Sequence, residues 1–257
     1  MTPAVRAEWT KLRTLPSTGW LLVAAVGVTV AVSAVVAAVL HVNPGSPQDP
    51  TKLSLAGVQI GQALIAVLAV LAVSEEYGTG MIRVTLTAIP HRLTLLAAKA
   101  ANLAGLTLLV GLIAVAGCLL AGRLILPGAE IDPAHGYELI SLSHAPTLRA
   151  AAGSVLYLVF IGLLSLGVAT AIRDTAASVG AVFGLLYLPP IAAQLVGDPT
   201  WRQHLEQIAP MTAGLAVQAT TNLRSLPIAP WAGLGVLAAW AAVSLLVGGM
   251  LLRLRDA

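Results

Sequence analysis

Two adjacent carboxylates, Glu75 and Glu76, follow a long apolar run and stand just ahead of Tyr77, Gly80 and Arg83. If that run is a helix, both fall at its C-terminus, where the helix dipole disfavours negative charge. Compensation could come from Arg83, from Lys11 or Arg13, or from a partner protein; otherwise the two are solvated groups marking a membrane edge. A second set, Asp132, His135, Glu138 and His144, has the residue types of a metal site. It lacks a compact ligand spacing such as H-x-x-x-H on a helix, and reads as a solvated loop. Cys118 is the single cysteine, inside an apolar run, where it can form no intrachain disulfide and acts as a small hydrophobe. The chain contains no G-x-x-x-x-G-K-[ST], no H-E-x-x-H and no serine–histidine pair within an apolar run. No enzymatic chemistry, bound cofactor or metal is therefore expected of this chain. Polar residues within the apolar runs are few, and four of them are amides: Gln59 and Gln62 on one helical face, Asn102 and Gln194. These four are candidates for lining a substrate path. The alternative is hydrogen bonding between helices, worth about 0.6 kcal/mol each.

The elements that must position these groups follow from composition. Of 257 residues, 58% are hydrophobic and 10% charged, where soluble proteins carry about 25% charge. A soluble exterior cannot absorb that much apolar surface. Six stretches, 19–40, 53–73, 100–121, 150–172, 176–196 and 231–252, are uncharged and long enough to cross a core of about 30 Å. They do not alternate polar and apolar, so barrel strands are excluded. The fold class is an all-α membrane bundle of six helices. The first run is much longer than a signal-peptide core and reads as an uncleaved span. With the N-terminus inside, the inner segments hold Arg6, Lys11, Arg13, Arg83, Arg92, Lys99, Arg173, Arg253 and Arg255. The outer ones hold Lys52, Arg123, Arg149, Arg202 and Arg224. Nine basic residues against five put both termini inside. The net charge of +3 is spread singly between apolar runs, which speaks against nucleic-acid binding.

Three connecting segments are more than loops. Residues 3–16 place Val5, Trp9 and Leu12 on one stripe, with Lys11 and Arg13 off it. That is an amphipathic helix lying on the inner membrane surface. In 75–92, Gly78 and Gly80 break the chain and Pro90 stops it again. Between them Ile82, Leu86 and Ile89 share one face of a short helix that needs a surface to pack on. Residues 197–230 include the apolar stretch 208–219, too short to cross, which predicts paired short helices dipping into the outer leaflet. Glycines four apart, Gly57/Gly61 and Gly180/Gly184, permit close helix approach.

In order along the chain, "AEWTKLRT", "SEEYGTGMIRVTL", "LSLGVATAIRDTAASVG" and "APMTAG" resemble the permease subunits of ATP-binding-cassette exporters of the type-2 family. The pattern E-Y-x-x-G-x-x-R, here Glu76, Tyr77, Gly80 and Arg83, is its sharpest part. The resemblance implies a multi-pass protein of a bacterial plasma membrane. Two permease chains, identical or different, would pair, with separate ATPase subunits binding ATP and Mg on the inner face. It also implies that about 80–89 is the coupling helix, that the N-terminal amphipathic helix also touches the ATPase, and that 197–230 holds re-entrant helices. Glu75, Glu76, Tyr77, Gly80, Ile82, Arg83, Leu86 and Ile89 would then carry ATPase coupling. The competing readings are a secondary transporter and a membrane anchor or sensor.

Overall fold

The computed structural model describes residues 6, 10, 16–39, 49–78, 92–129 and 140–254. Among them no strand occurs, and six helices are long and apolar enough to span a membrane. The protein is an all-α membrane bundle. The elements are α1 (Pro16–Val39), α2 (Pro50–Ser54), α3 (Val58–Gly78), α4 (Arg92–Ile125), α5 (Ala145–Ile172), α6 (Thr175–Leu195), α7 (Pro199–Ile208), α8 (Pro210–Leu215) and α9 (Pro230–Leu254). We call inner the side that the charge bias assigns to the cytoplasm.

Helix starts follow local chemistry. Proline opens α1, α2, α7, α8 and α9, where its missing N–H would be unsatisfied anyway. Aspartate caps three of the helices: Asp49 accepts from Lys52 N at 3.1 Å, Asp174 from Ala177 N at 2.8 Å, and Asp198 from Thr200 N at 2.8 Å. Helix α6 contains Pro189 and Pro190 in its interior, which removes two backbone donors near its outer end.

Helix α5 is the centre of the bundle. It packs most extensively on α9, and then on α3 and α4; α1 bridges α3 and α4, while α6 lies at the edge against α3 and α5. The α1 face turned inward is Thr18, Ala25, Thr29, Ser33 and Ala37, mostly at helical i, i+4 spacing. Small residues allow its approach to α3. A Cβ on Gly57 would fall 1.9 Å from the Thr29 carbonyl oxygen, and one on Gly61 1.9 Å from Thr29 Oγ1. Cys118 is fully buried there, with Ser33 Oγ donating to its sulfur at 3.2 Å and accepting from Gly57 N at 2.9 Å.

Several bounds differ from the hydropathy reading. The second span does not start at 53: α2 is a separate turn of helix, the chain bends at 55–57, and α3 runs from Val58 on through Glu75 and Glu76. The third span extends to 34 residues, about 51 Å at 1.5 Å per residue, so it outreaches the hydrocarbon core at its ends or tilts. Both helices take in charged residues that hydropathy assigns to a loop.

Candidate functional site

The inner ends of α3, α4, α5 and α9 converge on a cluster of charged and aromatic side chains. Glu76, near the end of α3, and Lys99, two turns into α4, are both buried, and Lys99 Nζ meets Glu76 Oε1 at 2.7 Å. Lys99 also donates to the Ala72 carbonyl at 3.2 Å. Each charge alone would be costly at this depth; paired and hydrogen-bonded, the two let both helices continue past the apolar runs. The Glu76 compensation left open by the sequence is therefore Lys99, and Glu76 is not a solvated group. Glu75, one residue away, does face outward.

Next to this pair, the Arg173 guanidinium lies over the Tyr77 ring, 5.2 Å from its centroid. The Tyr77 hydroxyl, though buried, has no hydrogen-bond partner among the described residues. Arg173 Nη2 donates to the Leu251 carbonyl at 3.3 Å, and Arg92 Nη1 to the Leu252 carbonyl at 2.7 Å. The last carbonyls of a helix lack partners within it and sit at the negative end of its dipole. Two arginines, from α4 and from the α5–α6 turn, answer that need at the end of α9. Segment 79–91 leaves this cluster at Gly78 and rejoins it at Arg92. Gly80, Ile82, Arg83, Leu86 and Ile89 lie outside the described residues. So do Val5, Trp9, Lys11, Leu12 and Arg13 of the N-terminal segment; of residues 1–15 only Arg6 and Thr10 are described, both helical, with Thr10 Oγ1 donating to Arg6 O at 2.9 Å.

The outer end is built differently. The segment 209–219 is largely buried and packs between α5 and α9. A Cβ on Gly214 would come 2.8 Å from the Tyr157 ring, and Gln218 Nε2 donates to Ser154 Oγ at 3.1 Å. Asp49 holds the far side of the segment: its carboxylate accepts from Thr220 Oγ1 at 2.7 Å and from the amides of Thr220 and Thr221 at 2.5 and 3.1 Å. Of the two short helices expected here, α8 is the buried one. Helix α7 has no buried residue and lies on the outside; its polar face carries an exposed Arg202–Glu206 pair. Between this segment and the α2 turn opens a cavity of about 640 Å³, with Lys52, Gln59, Glu206 and Gln218 among its walls.

The candidate path residues do not form one stripe. Gln62 is fully buried, donates to the Gln59 carbonyl at 2.9 Å and accepts from the Tyr157 hydroxyl. Gln59 is exposed to the cavity, and its carbonyl also accepts from Tyr187 OH at 3.2 Å. Gln194 is exposed near the outer end of α6. Asn102 is buried in α4. The Glu76–Lys99 pairing places it level with about residue 73 of α3, some 16 Å below Gln62 along the helix axis. Thus Gln59 and Gln62 share a site with Tyr157 and Tyr187, and the other two stand apart. His144 is the residue ahead of α5; Asp132, His135 and Glu138 lie outside the described residues.

Sequence reasoning missed Lys99, Arg92 and Arg173 as parts of the inner cluster. The signal for Arg173 is local: a two-residue turn, Arg173-Asp174, between two apolar runs must contain both a helix end and a helix start. No protein-family model matches the chain, and no curated protein matches it in sequence.

Proposed function

We propose that the chain is the membrane-spanning permease subunit of an ATP-driven exporter of the ATP-binding-cassette class, in a bacterial plasma membrane. It would act as a pair of permease chains, with ATP and Mg bound by separate ATPase subunits. The observation that carries the reading is where the E-Y-x-x-G-x-x-R run is rooted. Its first two residues, Glu76 and Tyr77, belong to a buried cluster that ties α3 to α4, α5 and α9. Its remaining residues enter the connecting segment. A partner pulling on 79–91 would move the ends of two spanning helices at once and, through the cluster, two more. Bistable packing of rigid helices then converts that motion into alternating access. The amides and hydroxyls around Gln62, opening through Gln59 on a cavity that Lys52 and Glu206 also line, suit an amphipathic substrate.

A pull-down tests this. The tagged chain, expressed with its neighbouring genes and solubilised in mild detergent, is expected to retain a P-loop ATPase in stoichiometric amount and to lose it on Arg83→Glu. A preparation that retains no ATPase overturns the reading. One observation favours an ion-coupled carrier instead: ionisable pairs buried in membrane helices often serve proton or ion coupling. Against it, the Glu76–Lys99 pair lies one turn from the end of α3, whereas carrier sites lie near the midplane. Transport that runs on an ion gradient without ATPase, and stops in Glu76→Gln, would establish the carrier.

A further inference from the structure

We propose that Arg173 is a positioning residue that transmits displacement of the inner end of α3 to α9 and α6. What drives the displacement rests on the exporter reading; the link itself does not.

The backbone at Arg173 is left-handed, with φ 67° and ψ 7°, and it closes α5 through its N–H to the Ala169 carbonyl at 2.9 Å. Glycine is the usual occupant of such a helix end, because a Cβ there crowds the following carbonyl. Here the position carries the longest cationic side chain available. The use of that side chain is visible. Its guanidinium covers the Tyr77 ring of α3 and donates to the Leu251 carbonyl of α9. The next residue, Asp174, caps α6. One turn therefore touches α3 and α9 by the Arg173 side chain, closes α5 by the Arg173 backbone and caps α6 by the Asp174 carboxylate. Arg92 holds the adjacent carbonyl, Leu252, from the α4 side. A shift of Tyr77 by the segment that begins two residues later would be felt at α9 through Arg173, while Arg92, at the far end of that segment, holds the next carbonyl. The Tyr77 hydroxyl has no hydrogen-bond partner among the described residues, so the link is assigned to the ring. The ring centroid lies 5.2 Å from the guanidinium.

The substitutions separate transmission from simple helix capping. Arg173→Gly relieves the backbone and removes the side chain, so the fold is retained while the link is cut. Tyr77→Phe keeps the ring and should behave as the parent; Tyr77→Leu should not. A spin label on Leu254→Cys, at the exposed end of α9, reports the outcome, because the native thiol, Cys118, is fully buried. In the chain alone, in nanodiscs, Tyr77→Leu and Arg173→Gly are expected to raise label mobility equally, and their combination no further. An unchanged α9 label in Tyr77→Leu overturns the link. With the ATPase added, vanadate trapping is expected to shift the label-to-label distance across the pair of chains in the parent and in Tyr77→Phe. In Arg173→Gly that shift should be largely lost. A full shift in Arg173→Gly refutes transmission. If no ATPase associates, the exporter reading fails and the mobility measurement alone decides the link.

Discussion

Helices α3 and α6 are each 21 residues long, each adjoins or contains glycines four apart, and they touch one another. Eleven residues of α3 are buried, against four of α6. Around α3 every level of the bilayer supplies a partner. Gly57 and Gly61 receive Thr29 of α1 at the outer end, Gln62 receives Tyr157 of α5, and Glu76 receives Lys99 of α4 at the inner end. Helix α6 has Ser178, Val182, Leu186 and Ala193 buried, and its Tyr187 donates to the Gln59 carbonyl of α3. Among the described residues, positions Gly180 and Gly184 meet nothing from another helix: a Cβ on the first has no neighbour within 4 Å, and one on the second meets Leu188 of its own helix at 3.6 Å. The same four-residue spacing is thus filled in one helix and open in the other. Glycine spacing states that a backbone can be approached; which element approaches is decided by topology.

The contrast is broken most severely at the inner end of α3. Glu76→Ala leaves Lys99 buried without its counter-charge, and should cost about 3–5 kcal/mol in detergent melting followed by tryptophan fluorescence. The paired change Glu76→Leu with Lys99→Met should recover most of that loss, since apolar replacement of a buried pair is often neutral. A double variant as unstable as the single one would show that the charges themselves hold the helices. Next in size is Gly57→Leu. The added side chain meets the Thr29 backbone, which cannot rotate away, and the loss should be about 3 kcal/mol, the upper end of ordinary overpacking. Gly61→Leu meets the Thr29 hydroxyl and methyl instead. A side chain can turn, so about 1–2 kcal/mol is expected from the same melting curves.

The spans are legible in the sequence because 20 apolar residues in a row have few other fates. Their ends are less so, for a reason visible at Glu76 and Lys99. Hydropathy stops a span where charge begins, but a helix continues wherever the charge is neutralised. That neutralisation comes from another helix, 23 residues away in sequence. The register between α3 and α4 depends on the packing of both against α5 and α1, which no local pattern encodes. Arg173 was hidden similarly: a basic residue between two spans reads as a topology marker, and its left-handed backbone and contact with Tyr77 are tertiary facts. The path residues fail for the opposite reason. Composition finds the amides in apolar runs, but depth decides which meet, and it groups Gln59 and Gln62 while leaving Asn102 on another level.

The smallest effect on folding should come from the open pair on α6, and it sharpens the comparison most. Gly180→Leu and Gly184→Leu add side chains where no other helix stands, so melting of the single chain should change by less than about 0.5 kcal/mol. If two copies of the chain pair through this face, the same substitutions should weaken their association in detergent by about tenfold or more, equivalent to about 1.4 kcal/mol, as read by sedimentation. Leu109→Ala serves as the control. It too is exposed in the single chain, on α4, and should leave pairing unchanged if α6 supplies the contact. A loss of single-chain stability as large as that of Gly57→Leu would mean that α6 packs within its own chain, and the contrast with α3 would disappear. Unaltered pairing in both glycine variants would move the contact to another exposed helix, of which α1 is as little buried as α6.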